Sequence, residues 1–165
     1  MKRLLFCMAV FILNSFAAST DKTFVSWLTI NDREPGGGAG VSVKSDKEFD
    51  ALVYGGKRRW TWMAGSHHDK RTQKQEDLKK NAQEPKESAG LIQVAGVYKG
   101  NTITIYRNGE LYTSYEAQNI DVLSDENNIV TMGLAHVGGH GSIAASIEDT
   151  RIYSQALTLE QLKAL

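Results

Sequence analysis

The chain has a single cysteine, Cys7, and it lies inside the apolar N-terminal run. Beyond that run no disulfide can form, so a stapled secreted mini-domain is excluded and stability must come from an ordinary core. An excess of one charge is missing as well. Lys plus Arg and Asp plus Glu number 19 each, so no net field draws the chain to nucleic acid or to an anionic membrane surface. The apolar run Leu4 to Leu13 is too short to span a bilayer as an anchor, and polar Asn14 ends it. There is no Asn-x-Ser/Thr sequon, no internal repeat and no low-complexity tract.

The first residues do have a pattern of their own. Met1, Lys2 and Arg3 supply a positive start, Leu4 to Leu13 an apolar stretch, and Ser15-Phe16-Ala17 a small-x-small cleavage site, so residues 1–17 read as a signal peptide. A lipid-carrying cysteine should follow the apolar stretch, whereas Cys7 stands near its start. The expectation is export, secreted or periplasmic, with residues 18–165 forming one domain.

Over most of that domain apolar residues recur with period two rather than 3.6, which predicts strands. The runs are Thr23 to Ile30, Val41 to Val43, Phe49 to Tyr54, Arg59 to Ala64, Leu91 to Tyr98, Thr102 to Tyr106, Leu111 to Tyr115, Ile129 to Val137 and Ser142 to Tyr153. Asn108-Gly109 between two such runs is a strong hairpin signal, because both residues tolerate positive φ. Trp60 and Trp62, two apart, should project from one sheet face, and Trp27 is expected in the core. His67 to Ser88, half of it charged, reads as a polar surface loop or frayed helix. Thr158 with Gln161 makes a capping box for a last helix striped by Leu159, Leu162 and Leu165, expected to dock on the rim. Strands at this spacing with few helices predict an all-β antiparallel two-sheet sandwich with a short C-terminal helix.

Three co-linear segments add a resemblance: DKTFVSWLTI (Asp21 to Ile30), VAGVYKGNTITIYRNGELYTSY (Val94 to Tyr115) and EDTRIYSQALTLEQL (Glu148 to Leu162). Together they resemble LamG-like domains of the laminin G / concanavalin A-like lectin/glucanase superfamily, which implies a jelly roll. Trp62 to Ser66 (WMAGS) with Arg71-Thr72 resembles, more narrowly, the N-terminal module of exported planctomycete-type proteins that carry a glycoside hydrolase family 32 domain. LamG-like domains usually have strands ahead of the segment at Asp21. The sandwich is therefore expected either to receive those strands from beyond Leu165 or to stand without them, as an incomplete module of a larger exported protein.

Catalysis finds little support in the residues. Glucanases of this superfamily set paired carboxylates on one strand face, and the nearest pattern, Glu48-Phe49-Asp50, runs on into Ala51, Leu52 and Val53 without a third acid. Glu148 and Asp149 are adjacent and point to opposite faces. No Gly-x-Ser-x-Gly elbow is present. Binding is better supplied. Sugars stack on aromatic rings and hydrogen-bond to polar side chains, so Trp60 and Trp62 near Arg58, Arg59, His67, His68 and Arg71 form one candidate surface. His136 to Gly141, with His140 and several glycines, is a second, its glycines serving either ligand approach or a tight turn. The histidine spacing fits no zinc site well. For calcium, the oxygen-rich run with Asp121 and Asp125, and Asp149, are the candidates, although Asp149 and Arg151 also read as a structural pair.

The expected function is thus non-catalytic carbohydrate binding, as an accessory module that positions an exported glycoside hydrolase on its polymer. The expected partners are an oligosaccharide or polymer and a catalytic domain of the same gene product. The alternatives are a structural or protein-interaction module without a sugar site, and a hydrolase whose activity lies outside this chain.

Overall fold

The computed structural model describes residues 20–34, 36–44, 49–66, 70–85, 90–118, 128–134 and 141–165. In chain order the elements are β1 (Lys22–Asp32), β2 (Gly38–Lys44), β3 (Phe49–Tyr54), β4 (Trp62–Ser66), α1 (Gln75–Leu78), β5 (Ile92–Lys99), β6 (Thr102–Arg107), β7 (Glu110–Glu116), β8 (Ile129–Thr131), β9 (Ala144–Tyr153) and α2 (Leu159–Lys163). They form a five-stranded sheet, β7-β6-β5-β1-β9, and a four-stranded sheet, β4-β3-β2-β8. Neighbouring strands within each sheet run antiparallel. This is the antiparallel two-sheet sandwich with a short C-terminal helix that the period-two pattern predicts, and the jelly roll that the resemblance implies. No helix among the described residues is long and apolar enough to cross a membrane.

Alternation sorts the side chains. Phe24 and Leu28 of β1, Val94 and Tyr98 of β5, and Ile103 and Ile105 of β6 face Val41 and Val43 of β2, Leu52 and Tyr54 of β3, and Trp62 and Ala64 of β4, all buried. The opposite face of β1 and β5 is apolar too, because α2 covers it. Leu162 and Leu157 pack on Val25, Ala95 and Val97. The capping box forms as expected, with Gln161 N–H donating to Thr158 Oγ1 at 3.2 Å and Thr158 N–H to Gln161 Oε1 at 2.8 Å. The helix lies on the outer face of the sheet rather than on the rim, and of its leucine stripe Leu162 alone is fully buried.

Trp27 is corrected by the same alternation. It shares the outward face with Val25 and is half-buried there, with the Arg151 guanidinium 4.8 Å above its ring.

The polar segment from Lys70 to Pro85 is not a solvated loop. Arg71, Thr72, Gln73, Asn81 and Glu84 are buried within it, and Leu78 of α1 packs on the outer face of the four-stranded sheet. It laces β4 to β7. Gln73 and Asn81 exchange side-chain hydrogen bonds of 3.1 and 2.8 Å, Asn81 Nδ2 donates to the Trp62 carbonyl at 3.3 Å, and Gln73 Nε2 donates to Thr113 Oγ1 at 3.3 Å. Tyr112 Oη donates to the Ala82 carbonyl. Buried polar groups persist only when so paired, which is why a stretch without hydropathic period can still be interior.

Candidate functional site

After β1 the chain turns through Asp32, Arg33 and Glu34, and after β3 it turns through Gly55 to Trp60. The two turns meet backbone to backbone at Gly36 and Gly55. A Cβ on Gly36 would lie 3.0 Å from the Gly55 carbonyl oxygen, and Gly55 itself has φ +69°. Because only glycine admits that approach, the flanking side chains stand around a shared cleft of about 160 Å³. It is lined by Arg33, Glu34, Gly36, Gly55, Arg59 and Trp60.

Trp60 is held in an unusual way. Its φ is +64°, a left-handed conformation that a bulky residue adopts only when its surroundings impose it. The Glu84 N–H donates to the Trp60 carbonyl at 2.8 Å, and Thr61 Oγ1 donates to the Arg58 carbonyl at 2.8 Å. The Arg33 guanidinium lies 3.7 Å from the centroid of the Trp60 ring and donates Nη2–H to the Glu84 carbonyl at 2.7 Å. Glu84 thus anchors both walls through its backbone. Its buried carboxylate meanwhile accepts from Trp62 Nε1 at 3.0 Å and from Arg107 Nε and Nη2 at 2.6 and 2.8 Å.

Beside the cleft Trp60 Nε1 is sealed from water without an acceptor among the described residues. Arg33 Nε and Tyr54 Oη are sealed as well, with Arg33 hydrogen-bonded to the Tyr54 phenol. Burial raises the Tyr54 phenol above its ordinary value, and a hydrogen bond from Arg33, together with its charge, offsets part of that rise. On the open side Arg59 and Glu34 approach to 3.6 Å with side chains 77% and 52% exposed. Such a pair contributes about 0–1 kcal/mol and leaves both groups available.

Of the residues of the expected candidate surfaces, Trp60 and Arg59 line this cleft. Trp62 is corrected. It heads β4, is fully buried in the core and spends its indole N–H on Glu84. The two rings do not share a sheet face, because Trp60 precedes the strand. Arg71 is corrected likewise, being 1% exposed and bonded through Nε to Asp50 Oδ1 at 2.8 Å. His67, His68, His136, His140, Asp121 and Asp125 lie outside the described residues. Gly141 has a structural task, since a Cβ there would fall 2.2 Å from the Gly37 carbonyl oxygen. Asp149 gives Oδ1 to the Thr150 N–H and Oδ2 to Arg151 Nε, both at 2.8 Å. These contacts fit the structural pair with Arg151. Asp50 of the Glu-x-Asp pattern is a sealed counter-ion of Lys22 and Arg71, at 2.6 and 2.8 Å.

Sequence reasoning passed over Arg33 and Glu34, which read only as part of the polar Asn31–Pro35 turn. The available signal was a charged pair separated by Pro35 alone from three glycines, the first of which makes a close backbone crossing.

A two-sheet antiparallel sandwich with this cleft at one end can now be set beside known proteins. The family profile described as "Concanavalin A-like lectin/glucanases superfamily", a laminin G type, matches residues 11–163. The chain belongs to that superfamily. Domain 4 of AbnA, a GH43 extracellular arabinanase from Geobacillus stearothermophilus in complex with arabinotriose, superposes with a TM-score of 0.62 at 16% identity, over 91% of this chain and 68% of that one. The SAP-like pentraxin of Limulus polyphemus gives 0.62 at 16% identity, over 87% and 68%. The CBM40 of Ruminococcus gnavus IT-sialidase, bound to α2,3 sialyllactose, gives 0.57 at 16% identity, over 87% and 81%. At such identities these likenesses establish the fold. No curated protein matches the chain.

Proposed function

We propose that this concanavalin A-like chain is a non-catalytic carbohydrate-binding module that holds a saccharide in the Arg33–Trp60 cleft. In this reading it serves as an accessory that positions an exported glycoside hydrolase of the same gene product on its polymer. One observation carries the reading: Trp60 is forced into a left-handed conformation at a cleft whose walls carry two arginines and a glutamate. Backbone strain of this kind costs about 1–3 kcal/mol and persists where a site requires it. A ring with hydrogen-bonding groups around it is the combination that a sugar's apolar face and hydroxyls need. The arabinotriose complex of the arabinanase domain and the sialyllactose complex of the sialidase module support the class of ligand. The N-terminal signal pattern supports export, and the WMAGS resemblance supports a glycoside hydrolase context of the family 32 type.

Equilibrium binding, with no bond made or broken, is part of this proposal. Glu34 is the one carboxylate among the residues lining the cleft, whereas retaining and inverting hydrolysis both require two across the scissile bond. Asp149 is not among the residues lining the cleft, and the proposal assigns calcium no part there.

A second reading, a protein-interaction module without a sugar site, draws on β8 and the residues after it. At this edge of the four-stranded sheet Ile129, Met132 and Leu134 are 50%, 51% and 41% exposed. A glycan array on the purified protein, run with calcium and with chelator, separates the two. Binding that Trp60→Gly abolishes supports the module, and a blank array removes it in favour of the interaction role. Binding lost with the chelator alone would restore calcium.

A further inference from the structure

The cleft is rich in donors and short of acceptors. Arg33 has no carboxylate within ion-pairing distance among the described residues. Its Nη2 is met only by the neutral Glu84 carbonyl, and the Glu84 carboxylate below is taken by Arg107 and Trp62. The Nε1–H of Trp60 is buried with nothing among the described residues to accept it, and Arg33 has the neutral Tyr54 phenol beside it. A buried donor left unmet is unfavourable, and here it belongs to a residue lining the cavity. Arg59 adds a second guanidinium, held only by the exposed 3.6 Å approach of Glu34. Asp32 is nearby, but its Oδ1 accepts the Glu34 N–H at 3.0 Å. Counted over the lining, two positive groups face one negative group.

A neutral sugar hydroxyl is an imperfect complement to such a lining, because every hydroxyl brings a donor along with its acceptor sites. A carboxylate is acceptor-only, offers about four lone-pair directions and matches a guanidinium in two parallel hydrogen bonds. We infer that the cleft selects a saccharide bearing a carboxylate, an acidic sugar, with its carboxylate on Arg33 and Arg59, its ring against Trp60 and a hydroxyl donating to Glu34. This rests on the carbohydrate-binding reading and goes beyond it by naming the ligand class.

The test uses the purified full chain on an array of neutral, sulfated and carboxylate-bearing oligosaccharides (uronic and sialic acids among them). Titration of the best-bound acidic glycan follows, alongside the same glycan after carboxyl reduction. The expected result is carboxylate-bearing hits, with about tenfold weaker binding on carboxyl reduction. Binding should also weaken between about 0.1 M and about 1 M salt, as the screening length falls from about 10 Å to about 3 Å. Arg59→Gln, on an exposed side chain, should lower affinity for the acidic glycan severalfold more than it lowers affinity for the reduced form. Arg33→Lys should recover part of what Arg33→Met loses. Equal affinity for acidic and reduced forms, or hits confined to neutral or sulfated glycans, would overturn this inference while leaving carbohydrate binding intact. An array blank in every class would overturn both.

Discussion

Arg71 and Asp50, 21 positions apart in the chain, meet at 2.8 Å with side chains only 1% and 0% exposed. Lys22 of β1 reaches the other Asp50 oxygen at 2.6 Å. One carboxylate therefore ties the four-stranded sheet, the polar lacing segment and the five-stranded sheet together. Two buried cations converge on it, so removing its charge is costlier than removing either partner. Asp50→Asn should destabilise the fold by about 3–5 kcal/mol, because Lys22 and Arg71 are left without their counter-ion. Urea denaturation measures this, and a loss under about 1 kcal/mol would show that the three groups do not act as a clamp.

Burial also sets how the fold responds to alkali. It raises the phenols of Tyr98 and Tyr115 far above their ordinary value and that of Tyr112 to about 12, and Tyr54 is raised as well. Below about pH 10 these groups hold their protons in the folded and unfolded chain alike, so they add no pH dependence. Above it the unfolded chain releases protons that the fold retains, and stability falls by about 1.4 kcal/mol per pH unit for each phenol. The urea midpoint should be insensitive to these four groups from neutrality to about pH 9 and drop steeply above about pH 10. Tyr98 Oη has no hydrogen-bond partner among the described residues. Tyr98→Phe should accordingly change neutral-pH stability by less than about 1 kcal/mol while making the alkaline decline shallower. An unchanged decline would count against the buried phenol as its source.

Glycines separate into those that pack and those that only turn. A Cβ on Gly38 would stand 2.1 Å from Ile143 N, 2.2 Å from Ser142 C and 2.4 Å from the Gly133 oxygen, all backbone atoms with no room to yield. Gly38→Ala should cost about 3 kcal/mol or more. At Gly100 nothing lies within 4 Å, and φ +54° is the whole obstacle, so Gly100→Ala should cost about 1 kcal/mol. Thermal unfolding of the two variants ranks them, and a reversed order would contradict the backbone crossing at Gly38.

What could be read from the sequence was whatever repeats or signals locally. Asn108-Gly109 announced a hairpin, and both residues do take positive φ, 51° and 70°. Phe49 to Tyr54 forms a strand with those same ends. The Ile129 to Val137 run is a strand over Ile129–Thr131, with 135–140 outside the described residues. Hidden from such reading was everything that depends on pairing across distance. Arg71, Gln73, Asn81 and Glu84 look like solvated loop, yet each is buried because its partner comes from another element. Trp60 looked like a strand residue because hydropathy carries no information about a left-handed φ. Trp27 looked like core because β1 is apolar on both faces, and which face turns inward cannot be seen from β1 alone.

Trp60 offers the most direct check that the cleft is built for binding rather than for stability. Its φ of +64° imposes a strain that alanine would keep and glycine would relieve. Both substitutions remove the ring on which the Arg33 guanidinium rests at 3.7 Å, so the packing they lose is nearly the same and the backbone term remains. Trp60→Gly should be more stable than Trp60→Ala by about 1 kcal/mol in urea denaturation. Each should weaken saccharide binding at least about tenfold, in keeping with the stacking and cation–π contributions removed. If Trp60→Ala matched or exceeded Trp60→Gly in stability, the left-handed turn would not be under strain. If both bound saccharide as the parent does, the ring would belong to the core and not to a site.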